Sequence, residues 1–273
     1  MSLRVGLVQL RTPASHEAAL AHVAPLVRQA AEDGARLIIT PEGSNILDRD
    51  RERLLPRLTL LADDPVVSGL RELAAELRVW LDIGSALVRR EDGKAANRQV
   101  MIAPDGTIVA TYDKLHMFDV DLPTGETARE SATYEPGDRA VVVEAAGARV
   151  GLTICYDMRF PALYRALALA GASVITAPAA FTRPTGEAHW EILLRARAIE
   201  TGSFVLAPAQ GGFHEDGRGT WGRSIAIGPW GEVLGRLDDD EPGVLIADLD
   251  LDAADRARAA IPALANARSF TGP

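Results

Sequence analysis

One stretch decides the fold: Val150-Gly-Leu-Thr-Ile-Cys155-Tyr-Asp-Met-Arg-Phe-Pro161. It predicts a strand, a sharp turn and a helix, because Leu152 and Ile154 alternate with smaller neighbours and Pro161 suits the first turn of a helix. Cys155, the only cysteine in the chain, lies at the end of this strand. Taken alone, the thiol is explained slightly better as a small buried hydrophobe than as a reactive group.

Length and composition narrow the possible classes of protein. With 273 residues, 47% of them hydrophobic, the chain can bury a sizeable core as one large domain or two small ones. Its formal charge of −9 argues against nucleic acid or an anionic membrane as a partner. A single cysteine rules out an intramolecular disulfide or a zinc site of several cysteines, and it favours a reducing, cytoplasmic setting. The sequence has no apolar run of about 18 residues for a membrane span, and we expect no signal peptide.

Hydrophobic periodicity predicts a layered α/β fold. A strand at residues 3–10, a helix at 16–32 and a strand at 36–40 give the β-α-β pattern of such a fold. The same alternation returns after Cys155. There the sequence predicts a helix at 161–170, a strand at 173–177, a helix at 187–201 and a strand at 203–207.

Antiparallel hairpins lie between and after these two halves. Strands at 80–87, 99–103 and 107–112 are joined by Asp92-Gly93 and Pro104-Asp-Gly106, which are typical turn sequences. The remaining predicted elements are a loop at 121–137, strands at 140–144, 149–154, 221–228, 233–236 and 244–248, and a helix at 251–261. Because no break in composition divides the chain, we expect a single domain over residues 1–273, with about the last ten residues as a tail. The fold class is α/β, a four-layer α-β-β-α sandwich of two mixed sheets.

Charged residues follow two of the predicted strands directly. Glu42 comes just after the strand at 36–40, and Lys114 comes just after the strand that ends at residue 112. Sites in open α/β sheets form beyond the carboxyl ends of strands, although each residue alone is more often simply solvated. The loop at 121–137 adds Glu130, and loops of this length are often functional. No G-x-G-x-x-G or P-loop motif supports nucleotide binding.

Three motifs occur in order along the chain: Pro41-Glu42 after an apolar strand, Tyr112-Asp-Lys114-Leu-His116, and the run from Gly151 to Pro161. Shorter matches accompany them at residues 130–131, 136–138, 185–191, 195–200, 221–224 and 229–232. Together they resemble the nitrilase superfamily of carbon–nitrogen hydrolases over residues 5 to about 262. The Nit-type amidase branch, which includes omega-amidase and deaminated glutathione amidase, is the most similar in these motifs.

The resemblance implies a catalytic triad of Glu42, Lys114 and Cys155. A thiolate is a strong nucleophile, and Glu42 would take the thiol proton and return it to departing ammonia if burial raises its pKa toward working pH. Lys114 would stabilise the oxyanion together with the backbone N–H of Tyr156. Glu130 matches a second glutamate, which positions the lysine, the substrate amide or the water. The implied reaction is hydrolysis of a non-peptide C–N bond in a small carboxylate-bearing amide through a thioester.

The resemblance also implies substrate contacts. Arg159 matches a position that binds a substrate carboxylate, which a guanidinium holds bidentately, and Thr185 is placed at the same end of the pocket. Tyr156 and Phe181 are expected to line the pocket. A structural ion pair explains Arg159 about equally well, and a place in the core explains both aromatic residues equally well. The branch's C-terminal tyrosine is missing from residues 266–273, and Arg223 replaces a common histidine. The identity of the substrate amide is therefore left open.

Other interpretations also stay open. Within the superfamily, the chain could be a nitrilase or an N-carbamoyl amino acid hydrolase. Outside it, Cys155 and His116 could act as a thiol protease or acyltransferase, which leaves Glu42 and Lys114 unexplained, or the chain could be a non-catalytic scaffold. No metal or cofactor is expected, because Asp and His are not clustered at ligand spacing and the family needs none. The expected partners are a small-molecule amide and, by resemblance, a second copy in a homodimer.

Overall fold

The computed structural model describes residues 1–122, 125 and 127–272. Its helices are α1 (His16–Glu32), α2 (Arg51–Leu54), α3 (Pro65–Leu77), α4 (Pro161–Leu169), α5 (Arg183–Thr201) and α6 (Asp252–Ala260). Its strands are β1 (Ser2–Gln9), β2 (Leu37–Ile39), β3 (Trp80–Arg89), β4 (Ala95–Ile102), β5 (Ile108–Asp113), β6 (Asp119–Asp121), β7 (Thr127–Arg129), β8 (Val141–Ala145), β9 (Ala148–Leu152), β10 (Val174–Thr176), β11 (Phe204–Ala207), β12 (Gly211–Phe213), β13 (Gly219–Trp221), β14 (Ile225–Ile227), β15 (Val233–Arg236) and β16 (Gly243–Asp250).

Two six-stranded mixed sheets form the centre of the fold. The first has the order β16-β1-β2-β3-β4-β5, and the second has the order β15-β14-β11-β10-β9-β8. In each sheet the three strands of a β-α-β unit run parallel, β1 to β3 in one and β9 to β11 in the other, and the outer strands are antiparallel. The prediction of two mixed sheets is confirmed.

Strand β2 shows how the four layers are built. Ile38 shares a buried cluster with Val23 of α1, on the helix side of the first sheet. Its neighbours Leu37 and Ile39 point the other way and share a cluster with Leu152 of the second sheet, as the period-two alternation of a strand requires. Helices α4 and α5 pack on the far side of the second sheet. The α-β-β-α sandwich is therefore the observed arrangement.

Several local predictions differ from the structure. The loop predicted at 121–137 contains β7, which pairs with β6, and a 3₁₀ turn at Glu130–Ala132; Pro123, Thr124 and Glu126 lie outside the described residues. Helix α2 and strand β12 were not predicted. Elements of three or four residues carry too little periodicity to be recognised from a sequence.

Two element boundaries also differ. The single strand predicted at 221–228 is two strands, β13 and β14, because Gly222 and Arg223 adopt positive φ angles of 67° and 60° that interrupt an extended backbone. Helix α5 begins four residues earlier than predicted, at Arg183, with Pro184 in its first turn. Proline is well placed there, because its missing N–H has no partner in the first turn of any helix.

A polar cluster lies between the two sheets. The Gln99 side-chain N–H₂ donates to Oδ2 of Asp82 at 2.7 Å and to Oγ1 of Thr176 at 2.7 Å. Oδ1 of Asp82 is buried and has no hydrogen-bond partner among the described residues. Burial raises the pKa of Asp82 to about 7, although its two polar neighbours lower it.

This cluster makes stability depend on pH. Native Asp82 binds its proton more tightly than the unfolded chain does, so its contribution is complete below about pH 4 and is lost as the pH rises to about 7. At about 1.4 kcal/mol per pH unit, the loss is on the order of 4 kcal/mol. We expect Asp82→Asn to keep at pH 8 most of its stability at pH 5, measured by urea unfolding. The exposed change Asp138→Asn is the control, and parallel losses in wild type and Asp82→Asn would contradict this role.

Candidate active site

Cys155 occupies a sharp corner after β9. It begins a 3₁₀ turn at Cys155–Arg159, and its φ angle is +48°. A non-glycine residue in this left-handed region is strained and persists only where the surroundings hold it. One such restraint is the hydrogen bond from the backbone N–H of Cys155 to the carbonyl of Pro178, at 2.8 Å. The corner fixes the thiol on rigid backbone, at the sharp turn that the sequence predicts at the end of this strand.

Asp157 is the second restraint on this corner. Its buried carboxylate accepts hydrogen bonds from the Tyr112 hydroxyl at 2.6 Å and the backbone N–H of Ile154 at 2.9 Å. Its other oxygen accepts from the backbone N–H of His116 at 3.1 Å and lies 2.7 Å from the ring Nδ1. The His116 ring also stacks on Phe160. His116 thus belongs to the support of the turn, and no hydrogen bond joins it to Cys155.

Glu42 and Lys114 meet beside the thiol. Glu42 follows β2 and Lys114 follows β5, and these strand ends lie at the same edge of the first sheet. The Lys114 ammonium donates to Oε1 of Glu42 at 2.9 Å. Oε2 of Glu42 accepts from the backbone N–H of Ala180 at 2.9 Å. Cys155 and Glu42 line the same cavity, and the Glu42 charge acts on the thiol.

Glu130 holds Lys114 from the other side. The ammonium donates to Oε1 of Glu130 at 2.8 Å, and Oε2 accepts from the backbone N–H of Phe118 at 2.6 Å. Lys114 is almost fully buried, with 2% of its side chain exposed. The structure therefore brings together all four residues predicted to be catalytic: Glu42, Lys114, Glu130 and Cys155.

Asn97 is a member of this cluster that was not predicted. Its side-chain N–H₂ donates to Oε1 of Glu42 at 2.8 Å and to Oε1 of Glu130 at 3.3 Å. The amide is oriented by Ser85, whose hydroxyl donates to its oxygen and accepts from the backbone N–H of Gly43. In the sequence, Asn97 lies just before the strand predicted at 99–103 and next to Arg98 and Gln99, and no motif distinguishes it.

Opposing effects set the charge of the two ion-paired residues. Burial lowers the pKa of Lys114, but the charges of Glu130 and Glu42 outweigh it and raise the pKa well above its usual value. Burial raises the pKa of Glu42, but the charge and hydrogen bonds of Lys114, Cys155 and Asn97 outweigh it and hold the pKa below its usual value. At rest the lysine is a cation and the glutamate is an anion.

For the Cys155 thiol, burial and the neighbouring charges give a net increase in the pKa. Burial and the neighbouring Glu42 charge raise the pKa of Cys155 well above its ordinary value, although Lys114 lowers it. At rest the thiol is therefore neutral beside an ionised carboxylate. The expectation was that burial would raise the pKa of Glu42 toward working pH. Burial does act in that direction, but Lys114, Cys155 and Asn97 together outweigh it, so the pKa of Glu42 in the resting site is lowered.

These residues lie in a cavity of about 300 Å³. Tyr156, Phe181 and Thr185, all predicted to bind substrate, line it together with the catalytic cluster. Arg159 does not line it: the guanidinium lies 5.9 Å from the ring centre of Tyr156 and 5.4 Å from that of Phe181. Its Nη2 is 3.2 Å from Nδ1 of His189. The structure therefore places Arg159 against two residues that line the cavity, Tyr156 and Phe181, but not in the lining itself.

Asn97 provides a prediction about pH. Replacing it with leucine removes the hydrogen bond that helps to hold down the pKa of Glu42, so that pKa rises and the acidic limb of the kcat/KM profile moves to higher pH. A hydrogen bond to a charged group is worth about 1.5–3 kcal/mol, so we expect a shift of at least about one pH unit and a loss of at least about tenfold below the limb. Ser85→Ala should shift the acidic limb of the kcat/KM profile in the same direction by a smaller amount. An equal loss at every pH would show a purely structural role.

Metal sites and membrane-spanning helices can be considered for the described residues. In residues 1–122, 125 and 127–272, no group of three or more His, Cys, Asp or Glu side chains is arranged to hold a metal ion. In that same part of the chain, no helix combines the length and apolar character needed to cross a bilayer.

The chain is similar in sequence and in structure to known proteins. Deaminated glutathione amidase of Yersinia enterocolitica is 39% identical over 238 residues, which are 86% of this chain and 82% of the relative. The NitFhit protein of C. elegans has a TM-score of 0.90 at 30% identity, over 98% of this chain but only 65% of that longer protein. An amidase from Nesterenkonia sp. AN1 has a TM-score of 0.79 at 27% identity, over 95% of this chain and 98% of that one. In that mutant structure, acrylamide has added to the active-site cysteine.

A family model settles the classification. The carbon-nitrogen hydrolase model matches residues 4–259, nearly the whole chain. Two of the relatives above are amidases by name, and one of them carries a reactive cysteine. The chain therefore belongs to the carbon-nitrogen hydrolase family, as its motifs predicted, and it is a hydrolase of carbon–nitrogen bonds.

Proposed function

We propose that the enzyme hydrolyses a small carboxylate-bearing amide through a thioester on Cys155. The observation that carries this proposal is that Cys155 lines one cavity together with Glu42 and Lys114, whose buried ammonium donates to the Glu42 carboxylate at 2.9 Å. A nucleophile, a base and an oxyanion donor are the parts that acyl transfer requires. All three face a cavity large enough for a small molecule.

The first half-reaction forms the thioester. As Sγ of Cys155 attacks the amide carbon, Glu42 takes the thiol proton, so no free thiolate has to exist in the resting site. The carbonyl oxygen becomes an oxyanion that receives hydrogen bonds from Lys114 and the backbone N–H of Tyr156. Tyr156 is the second residue of the 3₁₀ turn, where an N–H has no partner within the turn. Glu42 then gives its proton to nitrogen, the C–N bond breaks, and ammonia or an amine leaves.

The second half-reaction releases the acid. Water attacks the thioester carbon while Glu42 accepts one of its protons, and the oxyanion again faces Lys114. The C–S bond breaks, and the proton on Glu42 returns to sulfur. Glu130 keeps Lys114 in place through both steps, because its carboxylate bonds the ammonium and is itself fixed by the N–H of Phe118.

Charge in the cavity supports an anionic substrate. Five cationic side chains, Arg49, Arg51, Lys114, Arg129 and Arg218, line it against three acidic ones, Glu42, Asp48 and Glu130. This excess of positive charge occurs in a chain whose formal charge is −9. The name of the bacterial relative, deaminated glutathione amidase, denotes a substrate that bears carboxylates. In this proposal the acyl group is contacted by Tyr156, Phe181 and Thr185. Arg159 contributes its positive charge from its position against the rings of Tyr156 and Phe181.

The test is a panel of compounds assayed for release of acid and of ammonia or amine. It contains 2-oxoglutaramate, deaminated glutathione, neutral aliphatic amides, N-carbamoyl amino acids and nitriles. We expect the two carboxylate-bearing amides to have the highest kcat/KM. Equal rates with neutral amides would contradict the anionic preference, and a best rate with a nitrile or a carbamoyl compound would favour the other branches of the superfamily.

The assembly proposed is a homodimer in the cytoplasm. Ile192 and Ile199 are exposed on one side of α5, at 70% and 55%, two helical turns apart. Ile199 lines a surface cavity together with Trp230 and Ile261, which are 59% and 58% exposed. Apolar side chains concentrated in this way mark interfaces. Light scattering is expected to give the mass of two chains, and the mass of one chain would contradict the dimer.

A further inference from the structure

Arg218 lies on the wall of the active-site cavity, and its side chain makes no hydrogen bond to any residue that the structure describes. It lies in the turn between β12 and β13, and only 21% of its side chain is exposed. A guanidinium carries five N–H donors, yet none of them donates to any residue that the structure describes, and Nε is fully buried. A largely buried charge without such hydrogen-bond partners is costly. The unused donors of Arg218 therefore indicate a binding site for a hydrogen-bond acceptor.

Its one acidic neighbour does not satisfy it. Oδ2 of Asp216 lies 3.4 Å from Nη2 of Arg218, beyond the usual length of a charge-assisted hydrogen bond. The two oxygens of Asp216 already accept from the backbone N–H groups of Arg49 at 2.8 Å and Arg218 at 2.9 Å. Asp216 therefore fixes the position of Arg218 and leaves its donors toward the cavity unused.

The surroundings of Arg218 offer further donors. Tyr134 lines the same cavity, and its hydroxyl makes no hydrogen bond to any described residue. Burial and the charge of Glu130 raise the pKa of Tyr134, so the hydroxyl stays neutral and can donate. Arg49 and Arg51 are exposed at the cavity and form no ion pair within the described part of the chain. Arg129 differs from them, because Asp121 and the carbonyls of Val120 and Ala128 occupy its donors.

We propose that Arg218 and Tyr134 bind a carboxylate of the substrate, with Arg49 and Arg51 drawing the anion to the cavity. This subsite rests on the proposed amidase function and assigns its carboxylate preference to Arg218 as the direct contact. The fork of the guanidinium matches a carboxylate bidentately, and binding supplies the hydrogen bonds that the buried group lacks. No sequence motif indicates this role, because Arg218 lies in a short polar turn.

The test uses glutarate, a simple dicarboxylate, to protect Cys155 from alkylation by iodoacetamide, a readout that needs no turnover. We expect Arg218→Gln to require about 100-fold more glutarate than wild type for half protection, and Tyr134→Phe to require about tenfold more. Arg139→Gln, at an exposed arginine that does not line the cavity, is the control and should behave like wild type. Unchanged protection in Arg218→Gln, or an equal weakening in Arg139→Gln, would overturn the assignment.

A second measurement separates this subsite from the amidase proposal. We expect Arg218→Gln to lower kcat/KM about 100-fold for glutaramate, mainly through KM, and less than about threefold for its neutral methyl ester. Equal losses on both substrates would overturn the subsite. If wild type turned over neither compound while glutarate still protected Cys155 through Arg218, the subsite would stand and the proposed amide would be wrong. Tyr134→Phe, a milder change, keeps the test available if Arg218→Gln does not fold.

Discussion

Replacing Cys155 with alanine is expected to lower kcat/KM for amide hydrolysis by at least about 10⁴-fold. No other cysteine is present to take over, and Glu42 and Lys114 cannot form a covalent intermediate without the thiol. Amide turnover by the purified variant, followed through acid release, gives the measurement. Retention of more than about a hundredth of wild-type activity would exclude Cys155 as the nucleophile.

The loss should not come from unfolding. Cys155 has a positive φ angle, but alanine tolerates this backbone conformation about as well as cysteine does, and only one buried sulfur atom is removed. We expect the free energy of unfolding of Cys155→Ala to stay within about 1–2 kcal/mol of wild type. Circular dichroism and urea unfolding provide the control.

Replacing Lys114 with methionine is expected to have two large effects. Removing an oxyanion donor typically costs about 10²–10³ in rate, and the loss should exceed this because the same cation keeps Glu42 ionised as the base. The free energy of unfolding should fall by about 3–5 kcal/mol, because Glu42 and Glu130 are left buried without their cation. Lys94→Met, at an exposed lysine paired with Glu135, is the control and should change neither quantity much.

A double variant distinguishes the two effects. Lys114→Met combined with Glu130→Gln removes one of the two unpaired carboxylates, so part of the lost stability should return while activity stays low. Recovery of activity together with stability would mean that Lys114 acts only by supporting the fold. A single variant as stable as wild type would contradict the buried ion-pair cluster itself.

Apolar periodicity predicted the layers of the fold and also placed two charged residues. Strands with apolar periodicity and their flanking turns can be located from spacing, and sites form beyond the carboxyl ends of strands. Glu42 and Lys114 were therefore placed correctly beyond strand ends, although each alone resembled an ordinary solvated residue. Their catalytic roles came from the resemblance of the ordered motifs to the nitrilase superfamily, and those roles stay predictions.

What the sequence missed depends on contacts between distant segments. Asn97 lies within β4, and its role exists only because Glu42 and Glu130 come to either side of its amide. Arg218 lies in a short hairpin whose strands are too brief to show periodicity. Arg159 is four residues from Cys155, but its guanidinium lies against the rings of Tyr156 and Phe181 and does not line the cavity.

The pKa of Glu42 illustrates the same limit in electrostatics. Sequence reasoning considers one residue in one environment, and a buried carboxylate is expected to have a raised pKa. The sign reverses here because Lys114, Cys155 and Asn97 all stabilise the anion. A neutral thiol beside an ionised glutamate implies that the proton moves during attack rather than before it.

Partitioning with hydroxylamine tests most directly whether amide hydrolysis passes through a thioester on Cys155. Two amides that share an acyl group but differ in leaving amine are turned over at one hydroxylamine concentration, and hydroxamate and acid are measured. Both substrates must then form the same acyl-enzyme, so we predict the same ratio of hydroxamate to acid for each, and neither product with Cys155→Ala. A ratio that depends on the leaving amine, or turnover of both amides without hydroxamate, would contradict a common thioester intermediate.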